Sequence, residues 1–571
     1  MDYSVIKVTP DPIFSVTDYN PPKAPPSGWL YARGEYEAFV LAKMRENVKK
    51  LKLYVGYPGQ FRPPYTTVFY RHALPCGTYE TCGMVTDMST SGAKLLKITA
   101  PDIAQSLPAL KSAEDGWEVS VDGVSFTAAQ PGGVPTGDEL PRVRLPLAEI
   151  EPGLYDTGRE VLADITFRGA EKPSFNAGES IHEALHVTPE KYVQEQTFEL
   201  EEIAPGVWKT PLPLAFRYIK LKSGAPDAIE IDAAYTPLVY RRTYDFGDEE
   251  LNRIWACSAY TLRLCIHTFQ IDGVKRDRLP WGGDLAISLL ANAYSFREPE
   301  PIKRTLTVLG RDGTTLSQVN GILDYSLWIV ISHECYQRHF DDPAFLDENY
   351  PAITQIVDSF IEKADAHGGL IRPAEKDWCF IDWLEIEKTT SLQMLFHWAL
   401  VSAASLATRK GDTTRAAHYT AYAAQLKERI DAAAYDAEGG FYRGCVFTKD
   451  APAVRHANFL AVLSGVADKA KYPALAKTLL SPDLAEAGTP YMMALDIWAL
   501  HQLGHTAEAL AKLRAIWGGM LKLGATTFFE GYEKDFDEVK MCIFYGRPFG
   551  MSLCHAWSSA PCALLPMLTA Q

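Results

Sequence analysis

The sequence contains no apolar run long enough to cross a membrane; its longest, such as residues 327–332, are of core size. The first ten residues carry Asp2 and Lys7 and no apolar stretch, so no secretory signal is expected. Positive charge is also in short supply: 56 Lys and Arg stand against 71 Asp and Glu, a net charge of −15. Such a surface repels phosphate backbones, which argues against nucleic-acid partners and leaves neutral ligands such as sugars open. The ten cysteines form no pair of C-x-x-C motifs, so a structural zinc site is not expected. Cys76 and Cys82 are close enough in sequence to pair if oxidised, but reduced, buried thiols in a cytoplasmic protein are the plainer reading. No motif repeats at a fixed period, which argues against a helical repeat array.

What is present is an ordinary globular composition, 47% hydrophobic and 22% charged, over 571 residues. That length suits roughly two to four domains. Aromatics are plentiful (28 Tyr, 25 Phe and 12 Trp), enough to stack on sugars, although core packing is the plainer reading of any single one. The chain changes character near residue 243. Before it, short alternating stretches such as Trp117-Glu-Val-Ser-Val-Asp122, Ile219-Lys-Leu-Lys222 and Ile229-Glu-Ile-Asp-Ala233 are separated by Gly and Pro clusters, as at 130–135. Alternation between turn signals predicts half-buried antiparallel strands, hence a β-sandwich over 1–243.

From 244 to 571 the pattern is helical. Asp248 is a plausible N-cap, Glu249 and Glu250 suit the positive end of a helix dipole, and Leu251, Ile254, Trp255, Leu262 and Cys265 recur at helical spacing. Twelve helices are predicted, beginning near 248, 284, 300, 324, 347, 389, 413, 453, 467, 489, 505 and 550. Twelve in alternation is what an (α/α)6 barrel requires. In such a barrel the ligand sits where loops converge, so the long insertions at 270–283, 368–388, 437–452 and 524–550 are informative.

The first insertion holds Asp272, Asp277 and Asp284, the cations Lys275, Arg276 and Arg278, and Trp281, kept out of helix by Pro280, Gly282 and Gly283. A solvated loop with local ion pairs has a similar composition, but such a loop rarely contains Trp, and Gly-Gly permits close backbone approach to a ligand. In the last insertion Glu530 follows two Thr and two Phe. It faces solvent at a helix start, or it is a carboxylate in an apolar wall, poised as a base. Two such carboxylates suggest glycoside hydrolysis, which needs a protonated acid on the leaving oxygen and an ionised carboxylate opposite. The arginines are expected to pair mainly with the flanking aspartates.

The segment Asp272-Gly-Val-Lys-Arg-Asp-Arg-Leu-Pro-Trp-Gly-Gly-Asp284 resembles the signature loop of glycoside hydrolase family 78, the α-L-rhamnosidases. Phe246-Gly-Asp-Glu-Glu-Leu-Asn-Arg-Ile-Trp255 with Tyr260-Thr-Leu262, Phe380-Ile-Asp-Trp383, Ala525-Thr-Thr-Phe-Phe-Glu530 and Ser552-Leu-Cys-His-Ala-Trp557 are similar to further motifs of that family, in the family's order. The resemblance implies an inverting hydrolase with Asp277 as general acid and Glu530 as general base. It places Asp272 and Asp284 at sugar hydroxyls and Trp281, Trp383 and His555 in the wall around the sugar, with Arg276 and Asp382 counted among the substrate-binding residues. Trp328, in Asp324-Tyr-Ser-Leu-Trp328, joins the site or is a core Trp behind a capped helix. The implied substrates are small rhamnosides carrying a terminal α-L-rhamnose, such as flavonoid glycosides or rhamnose disaccharides. No metal or organic cofactor is implied, nor a membrane or nucleic-acid partner, and a homodimer is left open. The sequence departs from the family in two ways. Asp277 stands where many members carry Glu, one methylene shorter, and the chain stops at Gln571 without the C-terminal β-domain of larger members.

His267, His333, His339, His367, His397 and His418 lack metal-ligand spacing and are expected to be structural; His501 and His505 lie four apart without an evident third ligand. Glu385 and Glu387 line the site or face solvent. Two other readings share the residues: an inverting glycosidase or phosphorylase of the same architecture with another sugar preference, and an inactive carbohydrate-binding protein.

Overall fold

The computed structural model describes residues 141–570, apart from 189–197, 212, 268, 277, 279, 312–318, 320, 321, 376, 544 and 545, together with ten short strands between residues 13 and 131. The candidate acid Asp277 and Cys76 therefore lie outside the described residues. The chain is a mixed β and α protein that divides into two compact units. The first comprises Met1–Val239, Arg263–Pro280 and Glu538–Cys554; the second comprises Tyr240–Leu262, Trp281–Asp537 and His555–Gln571.

The first unit is built on an antiparallel sheet of eight strands. Its spine is the strand Leu154–Arg168, whose first part pairs with Leu214–Ser223 and whose second part pairs with Ala228–Ala234. The register with Leu214–Ser223 shifts between Asp156 and Val161, an irregularity that bends the long strand and curls the sheet. Arg142–Leu145 extends the sheet beyond Ala228–Ala234, while on the opposite side of the spine Val207–Lys209 with Glu201–Ala204 and Leu214–Ser223 with Ser174–Gly178 extend it. The alternation at 219–222 and 229–233 is seen as strands, and Trp117–Ser120 pairs with Thr67–Leu74. The core enclosed by the curl comprises Val161, Ile165, Phe167, Phe175, Phe216, Ile219 and Ile231, all essentially out of solvent. Each buried aliphatic or aromatic side chain contributes about 1.5–3 kcal/mol to folding.

The second unit is helical. Helices start within about five residues of eleven of the predicted positions, from Glu249–Cys265 to Thr506–Leu513, the last continuing through a π turn into Gly519–Lys522. The twelfth differs: the predicted start near 550 is replaced by a short turn at Ala556–Ser559 and a helix over Pro561–Thr569. The backbone before it is committed to tertiary partners, with the His555 N–H bonded to the Phe528 carbonyl, and Pro561 suits a first helical turn. Alternate helices are neighbours: Gly282–Ala293 lies beside Leu323–Phe340, then come Thr389–Lys410, Arg455–Leu463 and Pro490–Gln502, and the 556–569 segment returns to Gly282–Ala293. These helices are buried nearly all round, as in Pro490–Gln502, whereas Thr413–Ala434 buries a single stripe of Tyr419, Tyr422, Leu426 and Ile430. That contrast separates enclosed helices from solvent-facing ones. Among the described residues, no helix is long and apolar enough to cross a membrane.

Candidate active site

Glu530 sits in the segment after Gly519–Lys522 and is 2% exposed, so it does not face solvent. Its backbone is fastened residue by residue to the 555–558 turn. The Phe528 carbonyl accepts from the His555 N–H at 2.9 Å, the Phe529 carbonyl from Ser558 Oγ at 2.5 Å and the Glu530 carbonyl from Trp557 Nε1 at 2.9 Å. The Phe528 N–H in turn donates to Thr261 Oγ1. Two motifs far apart in sequence thus form one platform. Its effect is to place the His555 ring between two buried carboxylates: Nδ1 is 3.9 Å from Asp284 Oδ1, and Nε2 is 4.0 Å from Glu530 Oε1.

Asp284 occupies the first turn of Gly282–Ala293, where the helix dipole favours a carboxylate. The Tyr325 hydroxyl donates to Asp284 Oδ2 at 3.2 Å. Gly282 and Gly283 are explained by the same tyrosine. A Cβ on Gly283 would lie 2.5 Å from the Tyr325 ring, and one on Gly282 would lie 2.9 Å from the Tyr325 carbonyl. The close approach that these glycines allow is made by a neighbouring helix; no ligand is needed to explain them.

Aromatic rings stand around this group. Trp557 lies 4.2 Å from the His555 ring, Trp383 crosses Trp557 at 6.3 Å and Phe380 at 4.8 Å, and Trp281 meets Tyr325 edge-on at 6.3 Å. Trp328 is 1% exposed and touches Tyr491, which itself stacks on Trp557; it stands one ring behind the wall.

Trp383 is held by a tight turn. The Asp324 carboxylate accepts from the Phe380 N–H at 2.6 Å and from the Ile381 N–H at 3.1 Å. Burial pushes the Asp324 carboxyl up to about 6, against the pull of these backbone donors. Both Asp382 oxygens are engaged by protein groups: Oδ1 by the Trp383 N–H at 2.7 Å, and Oδ2 by His456 Nε2 at 2.6 Å and the Gly488 N–H at 2.7 Å. Asp382 therefore shapes the wall directly, whatever else it touches.

Asp272, 5% exposed, and Arg276 belong to the first unit. Arg276 Nε donates to the Gly550 carbonyl at 2.9 Å. Arg278, 1% exposed, donates to the carbonyls of Val274 and Pro213. The second unit thus assembles Asp284, Glu530, His555, Trp281, Trp383 and Asp382 with partners that sequence reasoning did not select: Tyr325, His456 and Trp557. Tyr325 and Trp557 lie inside quoted motifs, so their position was visible and their role was not. His456 follows no motif and is recognisable only through its contact with Asp382.

Buried carboxylates beside an imidazole and a wall of indoles suit the binding of hydroxyls and the transfer of protons at an uncharged, partly apolar ligand. Residues 243–568 match the family model of the bacterial alpha-L-rhamnosidase six-hairpin glycosidase domain, which makes the chain a glycosidase by class. It belongs to that family of bacterial α-L-rhamnosidase six-hairpin glycosidases. No curated protein sequence matches it. Among solved structures it is similar to a Klebsiella oxytoca rhamnosidase with rhamnose bound (TM-score 0.63, 23% identity, 77% of this chain and 91% of that one). A family 78 rhamnosidase of Bacillus sp. GL1 gives a TM-score of 0.63 at 20% identity over 95% of this chain and 65% of that one. A Streptomyces avermitilis α-L-rhamnosidase complexed with L-rhamnose gives 0.55 at 15% identity, over 98% and 60%. The chain spans less than two thirds of the length of the last two.

Proposed function

We propose that this chain is an inverting α-L-rhamnosidase that releases terminal α-L-rhamnose from small glycosides such as flavonoid rhamnosides or rhamnose disaccharides. Asp277 protonates the leaving oxygen and Glu530 activates the water. The observation that carries the reading is His555, which stands between the buried carboxylates of Asp284 and Glu530 inside an indole-lined wall. In this reading Asp284, Asp272 and Arg276 hold the sugar hydroxyls, and Trp281, Trp383 and Trp557 cover its apolar face, including the C6 methyl. Asp382 positions Trp383. Inversion requires room for a water, with the two catalytic carboxyls about 6.5–9.5 Å apart.

The neighbour order of the buried helices, which returns from the 556–569 segment to Gly282–Ala293, supports an (α/α)6 barrel. The proposal includes a β-sandwich over 1–243 and a catalytic domain over 244–571, the latter supported by a family match over 243–568. A cytoplasmic location and a homodimer belong to the same proposal.

The test is turnover of p-nitrophenyl α-L-rhamnoside and of an alkyl rhamnoside, with the anomer of the first-formed rhamnose read by NMR. The expected outcome is β-L-rhamnose from wild type and a loss of at least about 10³-fold in Glu530→Gln. First-formed α-rhamnose would overturn inversion, and turnover of glucosides alone would overturn the sugar.

A further inference from the structure

The loop that carries Asp277 holds a lysine with an unusual burial. Lys275 is 1% exposed, and so is Glu160; Glu179 and Glu183 are 5% and 3% exposed. Lys275 Nζ lies 2.7 Å from Glu183 Oε1, 3.4 Å from Glu179 Oε2 and 3.0 Å from the Met551 carbonyl. Glu179 Oε2 also accepts from the Leu553 N–H at 2.7 Å, and Glu183 Oε2 accepts from the Glu179 N–H at 3.0 Å. One ammonium thus ties together the signature loop, the Ile181–His186 helix and the 551–553 segment, all within the first unit.

Three carboxylates surround this one cation. Burial raises Glu160 far above the usual carboxylate range, with Glu179 adding to the effect. Burial also pushes Glu179 up to about 7, although Lys275 opposes it. Burial disfavours the charge on Lys275, but Glu183 and Glu179 outweigh it and hold the ammonium protonated. A buried ion cluster of this kind is a poor source of stability, since apolar residues of the same volume often do as well; what it supplies is a fixed geometry. Two described neighbours of Lys275 are held by backbone carbonyls. Arg276 is bonded to Gly550, and Arg278 adopts φ 52 with its guanidinium on Val274 and Pro213.

We propose that Lys275 is the positioning residue of the general-acid loop, pinning it through Glu183, Glu179 and the Met551 carbonyl so that Asp277 meets the leaving oxygen. This rests on the rhamnosidase reading above. The pin acts on the loop that carries the acid, so its loss is felt most where departure of the aglycone needs a proton.

Lys275→Met is assayed on an alkyl rhamnoside, whose poor leaving group requires protonation, and on p-nitrophenyl rhamnoside, which departs with little help. The expected result is a kcat loss on the order of 10²-fold on the alkyl substrate and less than about 5-fold on the aryl one, with any rise in KM alike on both, since Asp272 and Arg276 share the loop. Lys275→Arg, which keeps the cation, recovers part of the alkyl rate. If Lys275→Met does not fold, Lys275→Met with Glu179→Gln and Glu183→Gln removes the unpaired carboxylates and is expected to show the same split. Equal losses on both substrates, or no loss in a folded variant, overturn the pin. An inactive wild type overturns the rhamnosidase reading and the pin with it, an outcome distinct from a wild type that is active and a variant without the split.

Discussion

The Asp324 carboxylate accepts the N–H of Ile381, a β-branched residue at φ 49. That conformation is rare for a side chain branched at Cβ and costs about 1–3 kcal/mol unless its surroundings enforce it. Here a buried carboxylate on one side and the Asp382–His456 pair on the other do so, and the turn delivers Trp383 to the wall.

Asp324→Asn keeps the shape of the side chain but sets an amide N–H₂ against one of two backbone donors. A loss of about 1–3 kcal/mol is expected, measured as a lower urea midpoint. Since the turn positions Trp383, KM for a rhamnoside should rise more than kcat falls. An unchanged urea midpoint would mean that the turn holds itself.

The His456–Asp382 contact is buried at both ends, 1% and 0% exposed in the side chains. His456→Phe leaves Asp382 with the Gly488 and Trp383 donors alone. We expect a destabilisation of about 2–3 kcal/mol and weaker quenching of tryptophan fluorescence by added rhamnose. Wild-type behaviour in both measurements would show that the backbone donors suffice.

His555→Phe preserves ring packing on Trp557 and removes both nitrogens between Asp284 and Glu530. We expect kcat to fall by on the order of 10²–10³-fold with the fold intact by circular dichroism. A fall in affinity alone would restrict His555 to sugar binding.

His333 is buried against Phe345, and burial lowers it to about 3. Its native form is neutral, whereas the unfolded chain takes up a proton below about 6.5. The stability this residue supports is therefore complete above about 6.5 and lost as pH falls toward 3. By pH 4.5 the loss amounts to about 3 kcal/mol. His267 and His397, both lowered to about 4 by burial, add losses of the same sign. In His333→Leu, the stability difference between pH 7 and pH 4.5 should shrink by about 3 kcal/mol relative to wild type. An equal pH dependence in both proteins would show that His333 is not held neutral.

The sequence by itself determined the alternation of strands before residue 243 and the order of the helices after it, because periods of two and 3.6 residues are written locally in the chain. It also singled out Asp284 and Glu530 through segments of unusual composition, and Trp383 and His555 through motifs that resemble the family's. It misplaced the last helix, because the backbone donor of His555 goes to a carbonyl at Phe528, and no local pattern announces such a partner. It attributed Gly282 and Gly283 to a ligand, when the neighbour that needs the space is Tyr325. Tertiary structure alone decided that His555 stands between Asp284 and Glu530, that His456 backs Asp382, and that Lys275 is buried among Glu179, Glu183 and Glu160. Those pairs are 25 to 271 residues apart in sequence for His555, and 74 for His456. Electrostatic and hydrogen-bond partners are chosen by distance in space, and only the folded chain sets that distance.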